Sequence, residues 1–294
     1  MINTLHLGLS YGCNMNCSHC FVDKTNDKLS IDQIKEVIDY LDTKGLFFVI
    51  YTFGEPLLSK KIWEVAKYIS SKNIVQILMT NGSLVRSETI KKFREVNIQN
   101  IYVSLDSIHA EKHDRNRQFN GAYDKAVNAL KLLQQNGFNV GVAVTINDSN
   151  VEEMKDFVNL CKSLNVKNLS FLRQRKNGQI LHLKHEKKYI SFYINYLKKY
   201  KKYNINLQFH DINLILPTMK LYRDKFIDRN IYEKYIDMNS CHYSTTISLE
   251  PNGNVKHCNL IHNTIGNLND YKLNYLLNKG EKKYECINDC AKLS

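Results

Sequence analysis

Hydrophobic and polar positions along the chain follow two alternating rhythms. Short apolar runs rich in β-branched residues occur at 4–10 (TLHLGLS), 46–52 (LFFVIYT), 74–80 (IVQILMT), 101–106 (IYVSLD), 140–146 (VGVAVTI) and 168–172 (NLSFL). Each has the length and composition of a buried strand. Between them, apolar residues recur every three or four positions, which is the spacing of one helix face. Ser30-Ile31-Asp32-Gln33 reads as a capping box, followed by Ile34, Val37, Ile38 and Leu41 on one face. Ser59 reads as the cap of a second helix carrying Ile62, Val65, Ala66 and Ile69. A helix near 122–136 ends at Gly137, a C′ glycine. Strands and helices in alternation imply parallel strands joined by right-handed crossovers. Six such units fit within about 175 residues, whereas a closed eight-unit barrel needs roughly 250. The pattern therefore describes an α/β fold, either an open partial barrel or a doubly wound sheet.

Beyond residue 175 the rhythm breaks. Residues 180–238 are rich in Lys and Tyr and read as helices, while 241–294 carry four cysteines and few helix signals. The expected division is 1–180 for the strand–helix domain, 181–236 for a helical bridge and 237–294 for a small cysteine-bearing unit. The 294 residues are 43% hydrophobic, enough core for one or two domains. No apolar run is long enough to cross a membrane, and the first residues lack a basic leader ahead of an apolar stretch. The expectation is a cytoplasmic chain. In that setting its eight cysteines read as metal ligands or redox groups rather than disulfides. The net charge of +12 suits nucleic acid, an acidic partner, or simply well-solvated helix faces. The basic, aromatic segment 187–208 spreads its Tyr and Ile around the helix, so it reads as packing and nucleic acid is not expected.

Residues 12–20, GCNMNCSHC, place Cys13, Cys17 and Cys20 at the C-terminal end of the first strand, the face where βα folds carry chemistry. A structural zinc site wants four ligands, and His19 adjoins Cys20 too closely to supply the fourth without strain. A four-iron cluster on three thiolates accounts better for the set, because it leaves one iron open to a small ligand.

CxxxCxxC directly after a first strand resembles the radical S-adenosylmethionine (SAM) superfamily, with His19 at the usual aromatic position. YTFGEPLL (51–58) is similar to the family's GGEP segment, with Phe53 in place of the first glycine and Gly54, Glu55 and Pro56 retained. MTNGSLV (79–85), VSLDS (103–107) and HDRNRQFNGAYDKAV (113–127) resemble its TNG, SLD and HDxxR segments in order. The resemblance implies a partial (β/α)6 TIM-like barrel, and a 4Fe-4S cluster on Cys13, Cys17 and Cys20 that binds S-adenosylmethionine and cleaves it to a 5′-deoxyadenosyl radical. It also implies cofactor contacts by His19, Gly54, Glu55, Pro56, Asn81, Ser104, Asp106, Arg117, Thr145 and Asn147. Arg117 would pair with the methionine carboxylate through its paired donors.

Pro251-Asn252-Gly253 between strand-like runs reads as a hairpin turn that brings Cys258 near Cys241, with Cys286 and Cys290 as a second close pair. Four thiols can close on zinc or on an iron–sulfur cluster. Cysteine, eleven residues, glycine, four residues, cysteine is similar to the opening of the SPASM extension, and the short cysteine set resembles its "twitch" form. That resemblance implies one auxiliary 4Fe-4S cluster on these four residues. The eighth, Cys161, shares a helix face with Met154, Phe157, Val158 and Leu164 and reads as core. The resemblance further implies oxidative modification of a ribosomally made precursor peptide, by crosslinking or dehydrogenation. The alternatives are a peptide epimerase and an aminocyclitol-type dehydrogenase. A flavodoxin- or ferredoxin-like electron donor is expected. The first strand starts near residue 4, so an N-terminal leader-binding domain is expected to be absent, with the leader bound by a separate protein or by the basic bridge.

Overall fold

The protein is described here by a computed structural model covering residues 2–22, 25–176, 179–181, 183–203, 205–209, 245–257 and 264–279. Six strands fall where the apolar runs predict them: β1 Thr4–Gly8, β2 Phe48–Thr52, β3 Val75–Thr80, β4 Asn100–Ser104, β5 Asn139–Ile146 and β6 Asn168–Arg173. They pair in that order, each parallel to the next. The connecting helices are α1 Ile31–Asp42, α2 Ile62–Ser70, α3 Ser87–Glu95, α4 Ala110–Arg117, α5 Ala122–Gln135 and α6 Met154–Ser163. This is the partial, TIM-like barrel rather than the doubly wound alternative, since the strand order never reverses.

The helix signals hold with one correction. Ser30 caps α1 through both bonds of the capping box, Ser30 Oγ accepting from Gln33 N and Gln33 Oε1 accepting from Ser30 N. Gly137 follows α5 with φ of 79°. Ser59 is not the cap of α2. Lys61 holds that position, and Ser59 ends a single 3-10 turn, Pro56–Leu58, that Pro56 starts before α2 begins.

Alternation along each strand separates two environments. Leu5, Leu7, Val49, Tyr51, Leu78, Ile101, Val103, Val142, Val144, Leu169 and Phe171 are sealed beneath the helices. The other face is concave and only half-buried, and it ends in the cavity described below.

The sheet grows at both edges. Beyond β6, a two-stranded ribbon (β7 Arg175–Lys176 with β8 Gln179–Ile180) and α7 Glu186–Tyr203 lead to β9 Asn206–Phe209, parallel to β6. Tyr189, Ile190, Tyr193 and Ile194 of α7 are buried, and the Tyr193 and Phe171 rings lie 4.8 and 5.3 Å from Phe209. Over residues 189–194 the aromatic stretch is thus packing, as its spread of Tyr and Ile around the helix suggests. At the other edge, β10 Thr246–Leu249 runs parallel beside β1, and β11 Asn254–Lys256 and β12 Gly266–Asn267 continue antiparallel. The predicted hairpin lies between β10 and β11, with Gly253 at φ 93°. Cys161 is fully buried, and burial pushes its thiol up to about 12. No helix among the described residues is long and apolar enough to cross a membrane.

Candidate functional site

The C-terminal ends of the strands surround one cavity. Its wall takes Thr52, Met79, Ser104, Ala143, Thr145 and Leu172 from the inner face of successive strands, and Cys13, Cys17, His19 and Cys20 from the loop after β1. None of the three cysteines is disulfide-bonded among the described residues. Among the described residues, no three His, Cys, Asp or Glu side chains converge on a point where one ion would sit. Three thiols on one short loop at the cavity suit a cluster that offers a separate corner to each sulfur. The donor set fits a 4Fe-4S cluster.

The cysteine loop is held from two neighbouring strand ends and from the last turn of α4. Glu55 N donates to Gly12 O at 2.8 Å, Asn81 Nδ2 donates to Asn14 Oδ1 at 2.9 Å, and Ser18 N donates to Asn116 O at 2.9 Å. Asn14 Nδ2 adds a bond to Ser83 Oγ at 2.9 Å. Gly54 makes the closest approach. At φ 52°, a Cβ there would lie 2.5 Å from Gly12 O and 2.7 Å from Ser10 O. Phe53 shares this left-handed path at φ 63°, where a glycine is the unstrained residue, at a cost of about 1–2 kcal/mol. Packing holds it there. Phe53 is buried, its ring meets Tyr11 edge-on at 6.4 Å, and the missing side chain of Gly8 leaves it room.

Behind the thiols lies a buried charge group. Asp106 is wholly buried, and its Oδ2 lies 2.6 Å from Arg117 Nη2 and 3.4 Å from His19 Nε2. Burial alone would raise the Asp106 carboxyl, but Arg117, His19 and His113 together hold it below the usual range. Burial lowers His19 and takes His113 down to about 4, so His113 stays neutral and its Nδ1 accepts from Asp106 N at 3.0 Å. Burial raises the Cys17 thiol, opposed by the Arg117 guanidinium.

The residues expected from sequence separate into two groups. Cys13, Cys17, Cys20, His19, Gly54, Glu55, Asn81, Ser104, Arg117 and Thr145 line the cavity. Pro56, Asp106 and Asn147 are not on its wall. Pro56 starts the 3-10 turn, and Asn147 Oδ1 accepts from Ser149 N and Oγ within its own loop. Glu55 reaches the wall, but its carboxylate already accepts from Leu57 N, Thr80 Oγ1 and Asn81 N, so it pins β2 to β3. Cys241, Cys258, Cys286 and Cys290 lie outside the described residues. Sequence reasoning passed over Met79, Ala143 and Leu172, which alternation at the strand ends identifies, and also Arg173 and Arg175 after β6.

A sequence model described as the Radical SAM superfamily matches residues 7–161. AdoMet-dependent heme synthase of Methanosarcina barkeri is 32% identical over 160 residues, 53% of this chain and 46% of that protein. Mycofactocin maturase MftC of Mycolicibacterium smegmatis is 30% identical over 175 residues, 58% of this chain and 44% of that protein. The chain thus spans less than half the length of these curated relatives. SuiB of Streptococcus suis, solved bound to precursor peptide SuiA, superposes with a TM-score of 0.75 over 96% of this chain and 65% of that one. At 14% identity this likeness establishes the fold.

Proposed function

The chain belongs to the radical SAM superfamily, and from that premise we propose that it oxidises a ribosomally made peptide, forming a crosslink or a double bond. The observation that carries this reading is the cavity itself, with three thiols on one wall and the concave ends of β2–β6 on the other. Cys13, Cys17 and Cys20 would hold a 4Fe-4S cluster, and Ser104, Thr145 and the backbone at Gly54 would receive S-adenosylmethionine. When bound, these groups supply a one-electron reductant and a carbon radical able to abstract hydrogen. The chain's own part is to position and to shelter. Met15, Phe53, Met79, Ala143 and Leu172 give the cavity apolar walls that keep water from a radical. Arg173 is fixed at the rim by two bonds to Glu186, at 2.5 and 2.9 Å.

Net oxidation removes two hydrogens from the peptide. One leaves as an atom, and the other as a proton with its electron passing to an acceptor. We assign that acceptor role to an auxiliary 4Fe-4S cluster on Cys241, Cys258, Cys286 and Cys290, within a unit spanning 237–294 that a bridge over 181–236 joins to the barrel at 1–180. A flavodoxin- or ferredoxin-like protein would reduce the first cluster, and a leader-binding protein would deliver the peptide. Epimerisation would need a hydrogen donor on the opposite face, and among the described residues the one cysteine outside the cavity, Cys161, is fully buried. The similarity to a heme synthase favours a second reading, in which the cavity receives a carboxylate-bearing macrocycle instead of a peptide.

The test is anaerobic reconstitution followed by turnover with a low-potential reductant. The protein should bind about eight irons and release 5′-deoxyadenosine. The Cys13→Ala, Cys17→Ala, Cys20→Ala triple variant should keep about four irons and release none. Peptide product lighter by two hydrogens supports oxidation. A product of unchanged composition that gains one deuteron at an α-carbon in deuterated water would replace it with epimerisation.

A further inference from the structure

Cofactor binding leaves one contact at the site unexplained. Arg117, the last residue of α4, turns its guanidinium into the protein. Its Nη2 lies 2.6 Å from Asp106 Oδ2, and its Nη1 donates to Cys17 Sγ at 3.7 Å. Asp106 is in turn fixed from behind. Its Oδ1 accepts from Thr145 N at 2.9 Å, its backbone N donates to His113 Nδ1, and Asn150 Nδ2 donates to its carbonyl at 2.8 Å. The aspartate is 0% exposed and the arginine 8%, so water screens neither charge well.

We propose that Asp106 and Arg117 form a built-in electrostatic pair that sets the reduction potential of the cluster ligated by Cys17. The proposal rests on the cluster reading above and goes beyond it, since it gives Arg117 a role that does not involve S-adenosylmethionine. Reduction adds one negative charge to a cluster. A cationic donor on a ligating sulfur stabilises that added charge and raises the potential, as hydrogen bonds to cluster sulfurs generally do. The carboxylate behind the guanidinium opposes it. The two residues therefore act with opposite sign, and neither can be exchanged for a neutral isostere without moving the balance. The loop geometry enforces the contact, because the Ser18 N to Asn116 O bond ties the segment around Cys17 to the turn that carries Arg117.

The experiment is a redox titration of the reconstituted holoprotein without S-adenosylmethionine, following the reduced cluster by electron paramagnetic resonance, with iron content measured alongside. Arg117→Gln should lower the midpoint potential and Asp106→Asn should raise it. Arg117→Lys, which keeps the charge but loses the fixed fork, should fall between wild type and Arg117→Gln. Potentials that do not move, or that move in the same direction for both neutral variants, overturn the proposal. So does loss of iron in all three variants while wild type loads fully, because the pair would then serve only to hold the loop. A wild-type protein that binds no cluster defeats the cluster reading itself, and iron analysis separates that outcome from the others.

Discussion

The two ends of the parallel sheet use polar side chains in opposite ways. At the N-terminal ends, Asn100, Asn139, Asn168 and Asn206 stand side by side on β4, β5, β6 and β9. Each amide nitrogen donates to the preceding amide oxygen, at 2.7, 2.8 and 3.3 Å, and Asn100 Nδ2 reaches Gln76 O at 3.4 Å. The ladder is neutral and open to solvent, and its amides satisfy one another. At the C-terminal ends the polar groups are charged, buried and incompletely matched. His19 Nδ1 and Arg117 Nε are buried without a hydrogen-bond partner among the described residues, and Phe53 and Gly54 follow a left-handed path. One rim is finished by its own side chains, while the other is shaped to be completed by a ligand. In barrels of this kind the first rim serves stability and the second chemistry.

Substitutions should break that contrast in a graded way. Gly54→Ala has the largest expected effect, because the added Cβ meets backbone of the cysteine loop on a path already unfavourable by about 1–2 kcal/mol for a side chain. Most of the reconstituted iron should be lost, and an iron assay reading the full wild-type content would refute the close approach described for this glycine. His113 comes next. It is neutral in the fold, with its titration lowered to about 4 from an ordinary 6.5. Its contribution is therefore complete above pH 6.5 and declines as pH falls toward 4, by no more than about 3 kcal/mol. His113→Gln should flatten the dependence of denaturant midpoint on pH across that window, and an unchanged slope would count against a neutral, accepting imidazole. Asp114→Ala removes an acceptor that holds Gly121 N at 2.6 Å and Tyr123 N at 2.8 Å in the first turn of α5. A loss of about 1–2 kcal/mol with iron content retained is expected from thermal melts. Asn139→Ala should have the smallest effect, within about 1 kcal/mol in stability. Cleavage of S-adenosylmethionine should be unchanged, and a fall in that activity would mean that the two rims are coupled.

Much of this was legible in the chain because strand ends carry local signatures. The three cysteines, Gly54, the Thr80-Asn81-Gly82 turn and Ser104 each follow an apolar run, so the parallel sheet gathers them without any long-range information. Partnership inside the site was less legible. Nothing local marks Asp106 as buried behind Arg117 rather than facing the cavity, because the burial depends on how α4 folds back to bring Arg117 against it. Glu55 was readable as part of a motif, but the donors that consume its carboxylate come from β3. Asn147 follows the fifth strand as expected, yet Ser149, two residues on, draws its side chain into a turn. Arg173 and Arg175 were missed because nothing in the local sequence sets them apart from surface cations. The placement of β10 beside β1 was not legible at all, since the pairing joins the first and last parts of the sheet.

That pairing gives the protein a timetable. The cysteine loop is made long before its partners: Tyr11 finds Glu250 239 residues later, and Pro251 O accepts from Lys28 N and Leu29 N only then. At ordinary rates of synthesis the interval is roughly ten to fifty seconds. Throughout it, the edge of β1 that later receives β10 stays unpaired. The addition of β10 ends that interval and closes the edge of the sheet beside the cysteine loop.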